Sequence, residues 1–257
     1  TDASTKWHSA LQTLRQNGRM ALADWPADAI APEQLGLRKE GAFLSMPDHV
    51  SLYDEAYLDD QLKQVDAAAT LRLFDAVDST NTAMIRDAQA HGVGGHIYVA
   101  EFQTAGRGRR GRDWVGDFGR NVAMTVGFSF QRQISDLGGL SCVAGLALIQ
   151  VLENLGVRAQ LKWPNDVWFE DKKLAGILVE LIQTPTGASA VIGMGINIDL
   201  SPEQTRMIDQ AVVGLRALNV AISREDLVVA IYDALSLNLA FFAQEGFARF
   251  VPAFDAV

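Results

Sequence analysis

Short segments with regularly spaced apolar residues predict the strands of this chain. Residues 71–77 alternate between apolar and polar side chains, which is the period of a half-buried β-strand. Other short apolar segments end at glycine, proline or polar residues and are interpreted in the same way. The predicted strands are 71–77, 95–103, 121–130, 159–163, 167–169, 173–182 and 190–198, with a hairpin turn at residues 170–172.

Helical spacing of apolar residues appears between some of these strands and again after the last one. Residues 83–90 follow a group of polar residues suited to a helix N-terminus, and they end at Gly92. The predicted helices are 54–64, 83–90, 137–155, 203–217 and 224–243, followed by a short one after Gly246. No repeating βαβ pattern is present, so we expect an α+β fold with a mixed, mostly antiparallel sheet.

The first 46 residues have a weaker pattern and predict a small N-terminal module. Trp7, Leu11 and Leu14 have helical spacing, and residues 37–45 predict a strand or hairpin around Gly41. We place a boundary at Pro47, with domains at residues 1–46 and 47–257. A chain of 257 residues, 49% of them hydrophobic, is long enough for one large domain and such a module.

Charge and cysteine content narrow the class of protein. The net charge of -9 argues against a protein that coats nucleic acid generally, although a local basic patch is compatible with it. A single cysteine, Cys142, lies in an apolar segment, which fits a reducing compartment and predicts a cytoplasmic location. The start of the chain has no signal-peptide pattern, and the longest apolar run looks too short to cross a bilayer, so no membrane contact is expected.

A metal site is not predicted from histidine spacing, because the four histidines are scattered along the chain. These residues are His8, His49, His91 and His96.

The most unusual segment is a basic loop, Gly106-Arg107-Gly108-Arg109-Arg110-Gly111-Arg112. Its glycines allow close approach of the backbone to a ligand, and its arginines match carboxylates and phosphates. By itself the loop fits an anion clamp, a solvated basic turn or a nucleic-acid patch about equally well. It is not a P-loop, and a dinucleotide fingerprint fails because no predicted helix follows it.

Other polar motifs accompany the basic loop in a fixed order. They are Asp78-Ser79-Thr80-Asn81, Glu101-Phe102-Gln103, Lys162-Trp163-Pro164-Asn165-Asp166, Lys173-Leu174-Ala175-Gly176-Ile177-Leu178-Val179-Glu180 and Gly193-Met194-Gly195-Ile196-Asn197. From residue 71 to residue 197 the set closely resembles biotin protein ligases, including the bifunctional type that also represses transcription, and the likeness continues more weakly into the helical tail.

This resemblance implies a catalytic domain like that of class II aminoacyl-tRNA synthetases and biotin ligases. It implies that biotin and ATP form biotinyl-5′-AMP with the help of Mg²⁺. It further implies transfer of biotin to a lysine of a biotin carboxyl carrier protein, a subunit of acetyl-CoA carboxylase. Positively charged groups are needed because the first step brings a carboxylate against a phosphate.

The resemblance also implies roles for individual residues. Those expected to act in catalysis are Lys173, Arg109 and Arg107. Those expected to contact biotin are Ser79, Thr80, Asn81, Gln103, Gly106, Arg107, Gly108, Arg109, Lys173, Gly176, Leu178 and Gly193. Those expected to contact ATP or the adenylate are Arg109, Arg112, Trp114, Asn165, Lys173 and Asn197.

Several of these positions have structural alternatives that the residues alone leave open. Ser79 and Thr80 also fit a helix cap, and Trp114 also fits core packing. Asp166 fits a metal contact, a contact to the incoming lysine amine, or a cap of its turn. Gly176 is expected to leave room for the bicyclic ring, and Arg110 has the weakest claim to a ligand. The metal ligands are not identified.

The two ends of the chain depart from many biotin ligases. Residues 1–46 resemble only part of a winged helix, so DNA is not expected as a partner unless the native N-terminus is longer. The chain stops at Val257, where many relatives continue into a small β module. A lipoate or octanoate ligase and a biotin-responsive repressor are the alternative functions, and a homodimer through the sheet edge is left open.

Overall fold

A small helix-and-sheet unit begins the chain in the computed structural model, which describes residues 3–17, 19–26, 30–46 and 50–257. Helix α1 (Ala3–Asn17) precedes a three-stranded antiparallel sheet of β1 (Arg19–Ala21), β2 (Arg38–Glu40) and β3 (Phe43–Ser45), in the order β1-β3-β2. Gly41 has φ +63° in the turn between β2 and β3. The predicted helix and hairpin are confirmed.

This unit has its own cluster of buried side chains. Leu11 and Leu14 of α1 pack with Leu35 and Leu44, and Phe118 joins them from the larger part of the chain. The domain boundary at residue 46 stays a prediction, because Pro47 lies outside the described residues. Also outside are Gly18, residues 27–29, His49 and the side chains of Trp7, His8 and His91.

A seven-stranded sheet forms the centre of the larger part, in the order β4-β5-β6-β10-β9-β8-β7. Only the neighbours β4 and β5 run parallel, and all other neighbouring pairs are antiparallel. The predicted fold class, α+β with a mixed and mostly antiparallel sheet, is confirmed. Its strands are β4 (Thr70–Phe74), β5 (His96–Ala100), β6 (Val122–Phe130), β7 (Gln160–Lys162), β8 (Asp166–Phe169), β9 (Lys172–Thr184) and β10 (Gly187–Ile196).

Helices cover both faces of this sheet. On one face α2 (Glu55–Val65), α4 (Leu140–Asn154) and α6 (Arg224–Glu245) pack together over the main core. On the other face α3 (Thr80–His91) buries Ala83 and Met84 against Tyr98 and Val191. Ile97 and Val99 of β5 point into the main core while Tyr98 between them points to α3, as the two-residue period of a strand requires.

The predicted helix at residues 203–217 is wrong. Helix α5 (Pro202–Met207) has six residues, and a 3-10 turn follows at Leu215–Leu218. Between them the chain pairs with β9: Lys173 N–H donates to Ala211 O (2.9 Å), and Val213 N–H donates to Lys173 O (3.0 Å). This pairing with a strand that is distant in sequence overrides the local helical spacing. The short helix α7 (Val251–Phe254) lies at the C-terminal end of the chain.

Two helical segments are long and apolar enough to cross a membrane by length and composition, namely Ile134–Asn154 and Arg224–Glu245. The expectation that every apolar run is too short is therefore wrong. Leu148 and Leu152 of the first and Leu235 and Leu239 of the second lie fully buried in the main core. Since such side chains pack against the sheet and each other, we interpret both segments as core helices.

Candidate active site

The basic loop is a narrow hairpin closed by its own backbone. Trp114 N–H donates to Gly106 O (2.8 Å), and Gly108 N–H donates to Arg112 O (2.8 Å). A Cβ on Gly106 would lie 2.3 Å from Trp114 O, so this close pairing requires glycine. Arg110 occupies the turn with φ +57°, in the left-handed region.

The arginines of the loop are not equivalent. Arg107 donates to both carboxylate oxygens of Glu180, at 2.9 and 3.3 Å, and Arg109 donates to Asn165 Oδ1 at 3.3 Å. The side chains of Arg110 and Arg112 are exposed and make no hydrogen bond or ion pair to the described residues. Arg107 and Arg109 therefore hold the loop in place through their hydrogen bonds. Arg112, for which the sequence predicted a ligand contact, is exposed to solvent like Arg110.

Trp114, at the end of the loop, packs on a pair of glycines in the sheet. Gly176 and Gly195 are direct partners on β9 and β10. A Cβ on Gly195 would lie 2.2 Å from Trp114 Cε2, and one on Gly176 would lie 3.0 Å from Cζ3. The room expected at Gly176 for a bicyclic ring is occupied in this structure by Trp114 and Lys173. The glycines therefore let the loop approach the sheet.

Lys173 is the second residue of β9, and its side chain is largely buried at this site. Its Nζ is 2.9 Å from Asp166 Oδ1 and 5.5 Å from the centroid of the Trp114 ring. Asn197, which is buried, donates from its amide to Lys173 O at 3.3 Å. Asp166 forms a direct ion pair with Lys173, which is none of the three roles left open for it, and those roles stay predictions.

A cluster of buried polar side chains lies at the start of α3. The backbone N–H and the hydroxyl of Thr80 both donate to Gln103 Oε1, at 2.8 and 3.1 Å. Ser79 is the N-cap residue of α3 by its backbone, but its hydroxyl makes no capping bond. Instead, Asp78 accepts from Ser79 N–H at 2.8 Å. The helix-cap interpretation therefore does not account for the Ser79 hydroxyl.

Thr125 of β6 belongs to this cluster and was missed by the sequence reasoning. It is fully buried, and its hydroxyl lies 2.7 Å from Asn81 Oδ1 and 2.8 Å from the Thr80 hydroxyl. A polar residue in the middle of an apolar strand was the available signal, because buried hydroxyls need partners.

Asn81 fills the space that Gly193 leaves free. A Cβ on Gly193 would lie 2.1 Å from Asn81 Oδ1. The Asn81 amide donates to Glu180 Oε2 (3.0 Å) and to Leu178 O (3.2 Å). Gly193 is therefore required for this side-chain contact, and Leu178 takes part through its carbonyl.

The described residues offer no ready-made metal centre. They contain no group of three or more His, Cys, Asp or Glu side chains placed to hold a metal ion. A cavity of about 20 Å³ does lie at the site, bordered by Gln103, Trp114 and Asn121 among others. The cationic side chains of Arg107, Arg109 and Lys173 are the groups of this arrangement that can bind anions.

Comparisons with known proteins agree with this arrangement. A profile described as the biotin/lipoate A/B protein ligase family matches residues 73–197. The bifunctional ligase/repressor BirA of Escherichia coli is 32% identical over 247 residues, which cover 95% of this chain and 71% of that protein. The biotin--[acetyl-CoA-carboxylase] ligase of Mycobacterium tuberculosis is 36% identical over 177 residues, covering 65% and 63%.

Solved structures agree as well. The biotin protein ligase from Aquifex aeolicus in complex with biotin and ATP superimposes with a TM-score of 0.60 and 27% identity. The match covers 72% of this chain and 76% of that one.

Proposed function

The chain belongs to the biotin/lipoate A/B protein ligase family, and we propose that it is an ATP-dependent biotin protein ligase. It activates biotin to biotinyl-5′-AMP and transfers biotin to a lysine of a biotin carboxyl carrier protein. The observation that carries this proposal is the position of Lys173. Its ammonium lies between Asp166 and Trp114, beside a loop that brings Arg109 to Asn165.

In the first step a carboxylate oxygen of biotin attacks the α-phosphorus of ATP, and pyrophosphate leaves. Both reactants are anions, so the step needs fixed positive charge where they meet. Arg107, Arg109 and Lys173 supply that charge, and the ion pairs and hydrogen bonds described above limit their freedom. Groups that are oriented in advance stabilise charge without reorganising as the reaction proceeds.

In the second step the carrier's lysine amine attacks the acyl carbon, and AMP leaves. The intermediate is a mixed anhydride that water would hydrolyse, so the site has to exclude water until the carrier arrives. The basic loop with Trp114 serves as the cover, because Trp114 packs on the sheet at Gly176 and Gly195. Asp166 lies beside Lys173, and we propose that it accepts a proton from the incoming amine.

The polar cluster at α3 is our proposed site for the ureido ring of biotin. Ser79, Thr80 and Gln103 carry hydroxyl and amide groups that match its donors and acceptors. Asn81 and Gly193 support this cluster through their contact with each other. For the adenylate we propose Arg112, Trp114 and Asn165, with Asn197 holding the backbone of Lys173.

Mg²⁺ is part of the proposal only as the ion that is bound to ATP. The described residues do not form a cluster of three metal-binding side chains, and Asp166 is engaged with Lys173. We therefore derive no step through the metal and assign it no ligands.

Repression of transcription is the second candidate, because the E. coli relative is named a ligase/repressor. The described part of residues 1–46 contains one α-helix and a three-stranded sheet, whereas a helix-turn-helix needs two helices. DNA therefore remains outside our proposal. A cytoplasmic location is supported by the free, buried Cys142. A homodimer through the sheet edge is supported by residues 178–184 of β9, which pair only with β10 among the described strands.

The proposal is tested by incubating the protein with ATP, Mg²⁺, biotin and a biotin carboxyl carrier domain. Mass spectrometry of the carrier should show the mass gain of one biotin, and the gain should require ATP. Lipoate and octanoate in parallel reactions distinguish the other ligases of the family. An unmodified carrier in the biotin reaction, with modification by lipoate or by neither acid, would reject the proposed function.

A further inference from the structure

A continuous series of side-chain contacts connects the polar cluster at α3 to the basic loop. It runs through Gln103, Thr80, Thr125, Asn81, Glu180 and Arg107. Each neighbouring pair lies at 2.7 to 3.1 Å. Glu180 is the only carboxylate in the series, and it accepts hydrogen bonds from Asn81 on one side and Arg107 on the other.

The contacts of Arg107 use only part of its hydrogen-bonding capacity. Nη2 donates to Glu180 Oε1, while Nη1 donates to Glu180 Oε2 and, at 3.2 Å, to the Thr82 hydroxyl. A guanidinium has five N–H groups. Among the described residues nothing accepts from Nε–H or from the second hydrogen of Nη2, and these two lie on one edge of the group. That edge is free for a carboxylate or phosphate.

We propose that Glu180 is the residue that positions Arg107 for the anionic end of the substrate and Asn81 for its polar head. This inference rests on the proposed function, since it concerns the same site. Glu180 does not touch the substrate. It holds the Nη1/Nη2 edge of the guanidinium and leaves the adjacent Nε/Nη2 edge to the ligand, and it fixes the amide of Asn81 beside Thr125 and Thr80.

The geometry separates this pair from an ordinary surface ion pair. Glu180 is contacted through both oxygens, its side chain is 25% exposed beside 46% for Arg107, and its second partner, Asn81, is buried. The pair Arg249–Glu245 provides a comparison, because it is a single contact between the last residue of α6 and the 3-10 turn that follows, and its side chains are 41% and 47% exposed. Pairs of the second kind contribute little to ordering a side chain.

The first test uses trypsin, which cleaves after arginine, on the protein without biotin or ATP. Glu180→Ala should raise the rate of cleavage at Arg107–Arg112 about fivefold, as expected for losing roughly 1 kcal/mol from a local contact. Glu245→Ala is the matched control and should leave the rate at that loop unchanged. Equal loop cleavage in wild type and Glu180→Ala would overturn the proposal, and this readout does not depend on ligase activity.

The second test measures the KM for biotin in the carrier reaction for Glu180→Ala, Arg107→Ala and the double variant. If Glu180 acts through Arg107, Glu180→Ala raises KM about tenfold with a smaller change in kcat, and the second substitution adds little. Fully additive effects on KM would overturn the proposal, because only a small remaining effect through Asn81 is expected once Arg107 is gone. Glu180→Gln keeps the side-chain shape and one acceptor, so it serves if the alanine variant fails to fold. An inactive wild type would reject the proposed function. The trypsin test would then decide by itself whether Glu180 orders Arg107.

Discussion

Lys173 Nζ lies 2.9 Å from Asp166 Oδ1, and the two side chains are 14% and 21% exposed to solvent. The residues come from adjacent antiparallel strands, whose register shifts between Val167 and Trp168. Partly buried charges of opposite sign depend on each other, because removing one leaves the other without compensation. The relationship therefore links the lysine expected to act in catalysis to a carboxylate directly beside it.

Removing the lysine should abolish activation without unfolding the protein. Lys173→Ala is expected to lower the rate of ATP-dependent biotin activation roughly 10²- to 10³-fold, the usual effect of losing one stabilising charge at a reacting centre. Pyrophosphate release measures this step. Lys172→Ala, at the exposed neighbouring position, is the control and should have nearly the wild-type rate. Similar rates for both variants would remove Lys173 from the catalytic set.

The contact between Trp114 and Gly195 should be sensitive to a single methyl group. Gly195→Ala places a Cβ within 2.2 to 2.6 Å of three indole atoms, so the ring has to leave the sheet. We expect a loss of about 1–3 kcal/mol in the free energy of unfolding, or, if the loop moves away instead, a red-shifted and quenchable Trp114 fluorescence. Gly138→Ala meets no atom within 4 Å and is the control. A wild-type spectrum and stability in Gly195→Ala would contradict the contact.

Removing one partner of the buried ion pair between Glu101 and Arg224 should destabilise the protein, because each charge compensates the other. Arg224 Nη2 lies 2.7 Å from Glu101 Oε2, and the guanidinium is stacked 3.9 Å from the centre of the Tyr53 ring. Arg224→Met leaves the Glu101 carboxylate buried beside an apolar group, which should lower the free energy of unfolding by about 3–5 kcal/mol. Urea denaturation measures it.

The controls for this prediction distinguish the effect of breaking a buried ion pair from the effect of removing an arginine at any position. Arg249→Met removes the arginine of an exposed pair and should change stability by less than about 1 kcal/mol. The double variant Glu101→Gln/Arg224→Met should recover part of the loss, because the buried negative charge is removed together with the guanidinium. A fully additive double variant would show that the two charges do not depend on each other.

Acid should weaken the start of α3 through Asp78. Partial burial acts to raise the pKa of Asp78, but hydrogen bonds from Arg86 and from Ser79 N–H outweigh it and hold the pKa below its ordinary value of 3.8. A carboxyl with a lowered folded-state pKa contributes stability that is complete above the unfolded pKa and is lost as pH falls through the folded one.

Replacing the Asp78 carboxyl should therefore make the free energy of unfolding depend less on pH in the acid range. The urea midpoint of Asp78→Asn should fall less steeply than that of wild type as pH decreases below about 4. Asp209→Asn, at an exposed position, is the control and should follow wild type. A steeper fall in Asp78→Asn than in wild type would reverse the sign and reject the assignment.

Much of the fold could be predicted because it depends on neighbours along the chain. The hairpin at Glu170 and Asp171 follows from turn residues between two apolar segments, and Phe169 does pair with Lys172. Helix α6 follows from its apolar spacing, and the structure adds a cap at Ser223, whose hydroxyl accepts from Asp226 N–H at 3.0 Å. The segment 203–217 failed because its pairing partner, Lys173, is distant in sequence.

For the site, the order of the motifs by itself determined the family resemblance and the expected chemistry, since residue types and spacing are written along the chain. Tertiary structure decided which side chains meet. It placed Asn81 in the space at Gly193, Trp114 on Gly195, and Arg107 on Glu180. Each contact joins a residue of α3 or of the segment around the basic loop to a residue of β9 or β10 that is far away in the chain. It depends on how α3 and the loop pack against the sheet, and no local sequence pattern encodes that packing.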